Sequence, residues 1–204
     1  MRILDIGCAY GPLLAAARDV GFRATGIDLS REAVEYCRRL GLDVLRGTLG
    51  DLISRRRLVP RSYDIVCGFE LIEHEHDPLE FARNVYRLLK KDGILVLSTP
   101  DYDGWWRKIM GKRWFEYTNP EHVVLFSPDT IRMLLTKAGF TDITVRREKH
   151  RNFPMYSAFK RMGDFSPKPL LPLFRLGMHV TKKLKLKNPV NPWDDMFIRA
   201  RKEV

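Results

Sequence analysis

A short apolar run at residues 2–6 passes directly into a loop, Asp5 to Gly11, that is built largely from small residues. Short apolar runs are typical of buried strands, and glycine lets the backbone turn tightly and approach a ligand closely. Pro12 suits the first turn of a following helix, and Gly21 suits its end. A strand, a glycine loop and a helix in this order predict the first unit of an α/β domain, with a ligand site at the loop.

Apolar runs and amphipathic segments continue to alternate along the chain. Helices are predicted at residues 12–20, from the N-cap Ser30 to Gly41, from Asp77 to Lys91, and from Ser127 to Lys137. Strands are predicted at residues 2–6, 23–28, 43–46, 63–68, 94–98, 141–147 and 196–202. The alternation predicts an α/β fold with a mostly parallel sheet covered on both faces.

Positive charge is concentrated in the C-terminal quarter. The chain of 204 residues has a net charge of +11, yet residues 146–204 hold 15 Lys and Arg against 5 Asp and Glu. Such asymmetry indicates either an anionic partner, membrane surface or nucleic acid, or simply a solvated face. The stretch 148–195 is rich in proline, aromatic residues and lysine, and we predict a basic insertion between the last two strands of a domain formed by residues 1–147 and 196–204.

Several protein classes are not expected. No apolar run approaches the roughly 18 residues of a membrane-spanning helix. Asp5 interrupts the apolar start, so a signal peptide is not expected. Cys8, Cys37 and Cys67 lack CxxC spacing and are interpreted as reduced side chains. We therefore expect a cytoplasmic protein.

An acidic residue at the tip of the second predicted strand indicates the kind of ligand. Asp28 lies about 20 residues past the loop, where a carboxylate can accept hydrogen bonds from both hydroxyls of a ribose. The dinucleotide fingerprint fits poorly, because Pro12 stands where its third glycine belongs. A helix cap is the alternative role for Asp28, although Ser30 already offers one.

Four segments together resemble the core of class I S-adenosylmethionine (SAM)-dependent methyltransferases in order and spacing: LDIGCAYG, GIDLS, YDIVCGFELIEHEHDPLEF and LLKKDGILVLSTP. A fifth, GKRWFEYTNPEHVVLFSPDTIRMLLTKAGF, is similar to a branch related to ubiquinone-biosynthesis O-methyltransferases and to methyltransferases of sugar and surface-glycan pathways. The resemblance covers roughly residues 2–145. It implies a Rossmann-like, doubly wound, mostly parallel seven-stranded sheet that ends in a reversed hairpin, here residues 141–147 and 196–202.

The resemblance also implies which residues bind SAM and its product S-adenosylhomocysteine (SAH). Loop residues would surround the methionine part, Asp28 would bind the ribose, residues beside Asp28 and after the third strand would hold the adenine, and the end of the fourth strand would close the methionine side. The implied residues are Asp5, Gly7, Cys8, Gly11, Asp28, Leu29, Leu49, Asp51, Leu52, Phe69 and Glu70. Ala9 replaces a usual glycine, and Thr48 stands where an acid is frequent.

Members of that family usually carry a helical segment before the first strand. This sequence begins almost on the strand, so we expect either a truncated form or a cofactor covered by another element, such as residues 148–195.

The cluster Glu70-x-x-Glu73-His74, together with His122 in a later loop, supplies candidate chemistry at the carboxyl edge of the sheet. If the segment is helical, Glu70, Glu73 and His74 share one face. Three interpretations stay open. The side chains tie down a loop, or His74 or His122 acts as general base with Glu73 nearby, or all four hold a divalent metal such as Mg²⁺. The pattern ExxEH with a later histidine resembles that of the metal-dependent small-RNA end methyltransferases, which favours the metal interpretation.

The expected function is methyl transfer to a hydroxyl of a small or lipid-linked metabolite, with an amine or a carboxylate as the alternative acceptor. An aromatic loop predicts an apolar acceptor pocket, with Tyr102, Trp105, Trp106, Trp114, Phe115 and Tyr117. The alternatives are RNA methylation, for which the sequence shows no recognised RNA module, and a non-catalytic SAM-binding or scaffold protein.

An apolar stretch beside lysines is open to two interpretations, contact with lipid or packing of its apolar part on the sheet. This layout suits peripheral contact with the anionic inner face of a membrane. The residues are Leu170, Leu171, Leu173, Phe174 and Leu176, followed by Lys182, Lys183, Lys185 and Lys187.

Overall fold

A computed structural model describes residues 1–147, 153–154, 171–183, 187–188 and 195–203. Within them, seven strands form one sheet in the order β3-β2-β1-β4-β5-β9-β6, and two short strands, β7 and β8, pair separately. The strands are β1 Arg2–Ile6, β2 Arg23–Asp28, β3 Asp43–Arg46, β4 Tyr63–Phe69, β5 Leu89–Pro100, β6 Thr141–Arg147, β7 Phe153–Pro154, β8 Lys187–Asn188 and β9 Asp195–Arg201.

Helices connect the strands, and the polar residues expected to start them do so. The side chains of Ser30, Asp77 and Ser127 accept hydrogen bonds from backbone N–H groups three residues on. The described helices are α1 Pro12–Asp19, α2 Arg31–Arg39, α3 Leu49–Ser54, α4 Pro78–Leu88, α5 Trp105–Met110, α6 Phe115–Thr118, α7 Pro128–Lys137 and α8 Leu171–Lys183, with single 3₁₀ turns at Ile72–His74 and Gly111–Arg113. None of the helices in this part of the chain is long and apolar enough to cross a bilayer.

The strand order places a ligand crevice beside β1. Strands β1 to β5 run parallel, and β1 pairs with β2 on one side and β4 on the other. The connections therefore change direction between β1 and β4. In open parallel sheets, ligands bind outside the carboxyl ends of the strands at such a switch point.

The reversed strand expected at the end of the sheet is present. β9 lies between β5 and β6 and is antiparallel to both, which confirms the predicted fold class. Just past β9, the ammonium of Lys202 donates to the carbonyls of Tyr86 and Leu89, each at 2.8 Å. Burial lowers the pKa of this Lys202 ammonium. These bonds hold the end of β9 against the turn between α4 and β5.

The sheet is covered on both faces. The larger apolar cluster joins the strands to α3, α4 and α7 through residues such as Leu52, Val85 and Ile131. A separate cluster under α1 and α2 includes Leu14 and Val34. Helices on both faces leave the carboxyl edge of the parallel strands as the open rim on which loops gather.

The boundary between α4 and β5 differs from the prediction. The helix ends at Leu88 instead of Lys91, because Leu89 is extended with ψ at 140° and pairs with Tyr63. Leu89, expected within the helix, is buried in the strand instead. Most of the predicted insertion at 148–195 lies outside the described residues, and its division from the main domain stays a prediction.

Candidate functional site

The loop after β1 is clamped to the end of β2. The N–H groups of Gly7 and Cys8 donate to the carbonyl of Ile27 at 2.8 and 3.0 Å. The N–H of Ala9 donates to Asp28 Oδ2 at 2.7 Å. Three loop residues take positive φ: Gly7 at 73°, Ala9 at 46° and Gly11 at 75°. The loop therefore depends on left-handed backbone, which glycine adopts without strain.

The carboxylate of Asp28 positions backbone at the crevice. One oxygen accepts from Ala9 and the other accepts from the Ser30 N–H at 2.8 Å. The cap of α2 is supplied by the Ser30 hydroxyl, as expected. Each carboxylate oxygen has two lone pairs, so both retain capacity for a further donor such as a ribose hydroxyl.

The loop glycines serve different purposes. A Cβ on Gly11 would lie 2.8 Å from Leu42 Cδ1 and 2.9 Å from Cys37 Sγ, so this position is required by packing against α2. The Cys8 side chain is buried and leaves no space for a Cβ on Gly26. A Cβ on Gly7 would meet only the tip of Leu71, at 3.2 Å. Among these residues, Gly7 is the one that lines the crevice.

A crevice of about 440 Å³ opens at the predicted switch point. Four residues predicted to bind the cofactor line it: Gly7, Asp28, Leu29 and Leu49. Its other walls are Ile6, Ile27, Gly47, Thr48, Leu71, His74, Glu75 and Glu121. Leu71, Glu75 and Glu121 were not predicted, because nothing in their residue types distinguishes them from ordinary loop residues.

The remaining predicted cofactor residues are not among those that line the crevice. Asp51 is in the first turn of α3, where its N–H donates to the Thr48 hydroxyl. The Phe69 ring lies 6.4 Å from that of Phe197. Asp5 is buried at the end of β1.

The charges of Asp5 and Asp28 interact at the end of the first two strands. Burial, together with the charge of Asp28, raises the pKa of the Asp5 carboxyl to about 7. The two carboxylates repel each other when both are ionised. A ligand with positive charge relieves that repulsion, so the pair favours a cationic ligand such as a sulfonium or ammonium group.

The Glu70–His74 segment does not form the continuous helix that would put its acids on one face. Glu70 has φ at 49°, and a single 3₁₀ turn begins only at Ile72. The Glu70 carboxylate accepts a hydrogen bond from the Ser98 hydroxyl. Among the described residues, the ligand atoms that come together are those of Glu73, His74 and His122, and Glu70 is not in this group, although its charge acts on Glu73. The segment is not a continuous helix, so the condition for a shared helical face is not met.

Glu73 is a buried acid with half of its carboxylate unpartnered. The Thr99 hydroxyl donates to Oε2 at 2.9 Å, whereas Oε1 has no hydrogen-bond partner among the described residues. Burial and the neighbouring Glu70 raise the pKa of Glu73 to about 8. Thr99, at the end of β5, was missed by sequence reasoning because a threonine in a buried strand is ordinary.

The two histidines face each other beside Glu73. Their ring centroids are 4.8 Å apart in an edge-to-face arrangement. His74 Nδ1 lies 2.8 Å from the Glu121 carbonyl, an acceptor, so Nδ1 carries the proton and Nε2 is the basic nitrogen. Ligand atoms of Glu73, His74 and His122 all lie within 4.8 Å of one another. The structure thus brings together three of the four predicted residues.

His122 has an acidic neighbour that the sequence did not reveal. Its Nδ1 lies 3.2 Å from Glu116 Oε2, outside hydrogen-bond geometry. Burial and the adjacent His74 lower the pKa of His122, which leaves its imidazole neutral near pH 7.

Part of the predicted aromatic pocket is formed by three rings that lie near one another. Trp114 is buried, and its ring lies 5.5 Å from that of Tyr117, which in turn lies 6.2 Å from Tyr102. Trp105 is exposed. The side chains of Trp106 and Phe115 lie outside the described part of the structure.

Comparison with known proteins identifies the family. The family model described as "Methyltransferase domain" matches residues 1–145. A ubiquinone biosynthesis O-methyltransferase from Actinobacillus pleuropneumoniae is 32% identical over 105 residues, 48% of this chain and 45% of that relative. The corresponding protein of Xanthomonas campestris is 38% identical over 104 residues, 48% of this chain and 42% of that relative. The chain spans less than half the length of these curated relatives.

The fold has close counterparts among solved structures. A SAM-dependent methyltransferase from Archaeoglobus fulgidus superimposes with a TM-score of 0.66 at 21% identity, covering 98% of this chain and 86% of that one. At this identity the likeness concerns the fold alone, and it agrees with the sheet order described above.

Proposed function

The chain belongs to the class I SAM-dependent methyltransferases, and on that basis we propose that it transfers the methyl group of SAM to a hydroxyl of a small or lipid-linked metabolite. One observation carries the proposal. His74 forms a wall of the crevice and is also a member of the buried cluster with Glu73 and His122. A group able to take a proton therefore lies at the cofactor crevice.

The crevice residues fit SAM. Asp5 and Asp28 favour a positively charged ligand group, and SAM carries a sulfonium. The free lone pairs of Asp28 can accept hydrogen bonds from the ribose hydroxyls of SAM. Leu29 is 65% exposed and, with Leu49, offers an apolar surface for the adenine. When bound, SAM supplies an activated methyl group that an acceptor oxygen displaces in line.

The described residues supply proton transfer and exclusion of water. His74 Nε2 is the nitrogen available to take the hydroxyl proton, since Nδ1 donates to the Glu121 carbonyl. That bond fixes both the tautomer and the ring. The buried His122 edge removes water from one side of the His74 imidazole.

A metal-assisted version is the second candidate. Among the described residues, Glu73 Oε1 has no hydrogen-bond partner, and it lies beside the imidazoles of His74 and His122. Together these side chains offer a metal one carboxylate oxygen and two nitrogens. Such a set suits Mn²⁺ or Zn²⁺ better than Mg²⁺, which prefers oxygen ligands. The metal would hold the acceptor oxygen and ease loss of its proton, with Glu73, His74 and His122 as its ligands.

The identity of the acceptor is tested with tritiated SAM. The purified protein is incubated with cell extract divided into lipid, small-molecule and RNA fractions. We expect label in the lipid or small-molecule fraction. Label in RNA alone would replace the metabolite by RNA as acceptor, and binding of SAM without label in any fraction would favour the non-catalytic alternative.

A lipid-linked acceptor is supported by helix α8. Its exposed face carries Leu176 at 61% and Val180 at 42% exposure, with Lys182 and Lys183 also exposed at its end. The helix contains no acidic residue. An exposed apolar strip beside lysines suits the surface of an anionic bilayer. Of the other residues predicted for this contact, Leu170 and Lys185 lie outside the described residues, as do the side chains of Leu171, Leu173, Phe174 and Lys187.

We predict that the protein co-sediments with phosphatidylserine vesicles at low salt. Each lysine near such a surface contributes about 1 kcal/mol, so Lys182→Glu with Lys183→Glu should abolish binding. Leu176→Ser with Val180→Ser should also weaken binding, whereas an RNA contact would depend on the lysines only. Lys108→Glu with Lys112→Glu is the control of equal charge change. Equal loss in that control, or no sedimentation at low salt, would contradict the membrane contact.

A further inference from the structure

A guanidinium lies within the aromatic group beside the reaction site. The Cζ of Arg107, on α5, lies 4.3 Å from the centre of the Tyr102 ring. The Tyr117 hydroxyl is close enough to both residues for them to act on its pKa, which Tyr102 raises and Arg107 lowers. Arg107 Nε is buried and has no hydrogen-bond partner among the described residues. Among the described residues, the Nε–H of this charged side chain therefore has no acceptor.

In the described part of the chain, Arg107 forms no ion pair with a carboxylate. Of the acids that follow β5 or lie on α6, Asp101 accepts from Arg147, Glu116 faces His122, and Asp103 forms no ion pair with Arg107 among the described residues. A partly buried arginine is ordinarily paired, because removing its charge from water costs free energy. The missing partner is therefore an anion that comes from outside the described residues.

The position of this arginine relates it to the acceptor. Tyr102 follows the carboxyl end of β5, and Thr99 of the same strand holds Glu73. Tyr117 follows Glu116, whose carboxylate lies 3.2 Å from His122. Arg107 and the Glu73–His74–His122 cluster are thus carried by the same two segments at the same edge of the sheet.

We propose, building on the proposed function, that Arg107 binds an anionic group of the acceptor, a carboxylate or a phosphate, with the Tyr102 and Tyr117 rings against its apolar body. The planar fork of a guanidinium matches two oxygens of an oxyanion. Bound in this way, the acceptor turns a more distant hydroxyl toward His74. A protonated amine is repelled by the same charge, so the site selects hydroxyl compounds that carry a negative charge.

The test uses small aromatic compounds as probes of the site. 4-Hydroxyphenylacetate, its neutral amide 4-hydroxyphenylacetamide, and phenyl phosphate are titrated into the full chain saturated with SAH, with tryptophan fluorescence as the readout. We expect the anions to bind at least about tenfold more tightly than the amide, and Arg107→Gln to remove that difference. Arg107→Lys should retain part of it because the charge is kept. Lys108→Gln, on the same helix, should leave it unchanged.

Each result decides the proposal. Equal binding of the acid and the amide, no binding of either anion at millimolar concentration, or an anion preference that survives Arg107→Gln overturns it. A preference for phenyl phosphate over the carboxylate, or the reverse, identifies the oxyanion. SAH binding is measured by calorimetry in the same samples. If the wild type does not bind SAH, the proposed function is contradicted. If the wild type binds SAH but binds neither anion, only this inference is contradicted.

Discussion

Replacing Gly7 by valine is expected to abolish SAH binding while the domain stays folded. Gly7 has φ at 73°, a conformation that costs a β-branched residue about 1–2 kcal/mol. Its added Cβ would lie 3.2 Å from the Leu71 tip, and the rest of the side chain would enter the crevice. Together these effects should raise the dissociation constant more than a hundredfold, about 3 kcal/mol.

Gly41 provides a closely matched control. It has φ at 72°, and a Cβ there would meet nothing within 4 Å. Gly41→Val therefore introduces the same backbone strain at the opposite edge of the sheet. Both variants should lose similar stability in urea unfolding, and only Gly7→Val should lose SAH by calorimetry. Normal SAH binding in Gly7→Val would show that the cofactor lies elsewhere.

The second large effect is expected for Glu73→Gln. Glutamine keeps the shape of the side chain but does not ligate a metal as a carboxylate does, so under the metal-assisted mechanism methyl transfer should fall at least about a hundredfold. Stability should change in the opposite direction. With its pKa raised to about 8, folded Glu73 keeps a proton that the unfolded chain has already lost. The wild type therefore loses stability as pH rises from about 4.5 to about 8.

Urea unfolding in chelator at pH 6 and pH 8.5 measures this effect. Glu73→Gln should be more stable than the wild type at the higher pH, by about 1–3 kcal/mol. Glu80→Gln, an exposed acid at the start of α4, should alter neither stability nor activity. Full methyl transfer by Glu73→Gln would remove Glu73 from the chemistry.

The same enzyme preparation separates the metal from the general base. Activity that disappears in EDTA and returns with Mn²⁺ would establish the metal. Activity that persists in chelator but is lost in His74→Ala would establish the base. Full activity in chelator and in both His74→Ala and His122→Ala would leave the cluster a structural role.

The sequence was sufficient for features that depend on local chemistry. Ser30, Asp77 and Ser127 cap their helices. Each side-chain oxygen accepts from the backbone N–H three residues later, so the interaction is local and can be predicted without knowledge of distant contacts. Asp28 was placed correctly at the crevice because the carboxyl end of β2 must lie beside that of β1.

Features that depend on distant contacts could not be predicted. Gly11 was predicted to bind the cofactor, which stays a prediction, and the sequence did not reveal that Leu42 and Cys37 leave no space for a side chain there. Glu70 is not grouped with Glu73, His74 and His122. Its backbone has a positive φ, which the presence of a glutamate in the sequence does not predict. The buried contacts of Glu73 with Thr99, and of His122 with Glu116, join segments that are separated along the chain.

Titration calorimetry with SAH tests the central claim, a SAM site between the glycine loop and Asp28, most directly. The wild type should bind SAH with a dissociation constant in the micromolar range, about −8 kcal/mol, and should not bind NAD. Asp28→Ala should weaken binding by about 2–3 kcal/mol, because a charged acceptor for the ribose is lost. Asp43→Ala, an exposed acid at the opposite edge of the sheet, should bind like the wild type. Tight binding of NAD without binding of SAH, or unchanged SAH affinity in Asp28→Ala, would contradict the account.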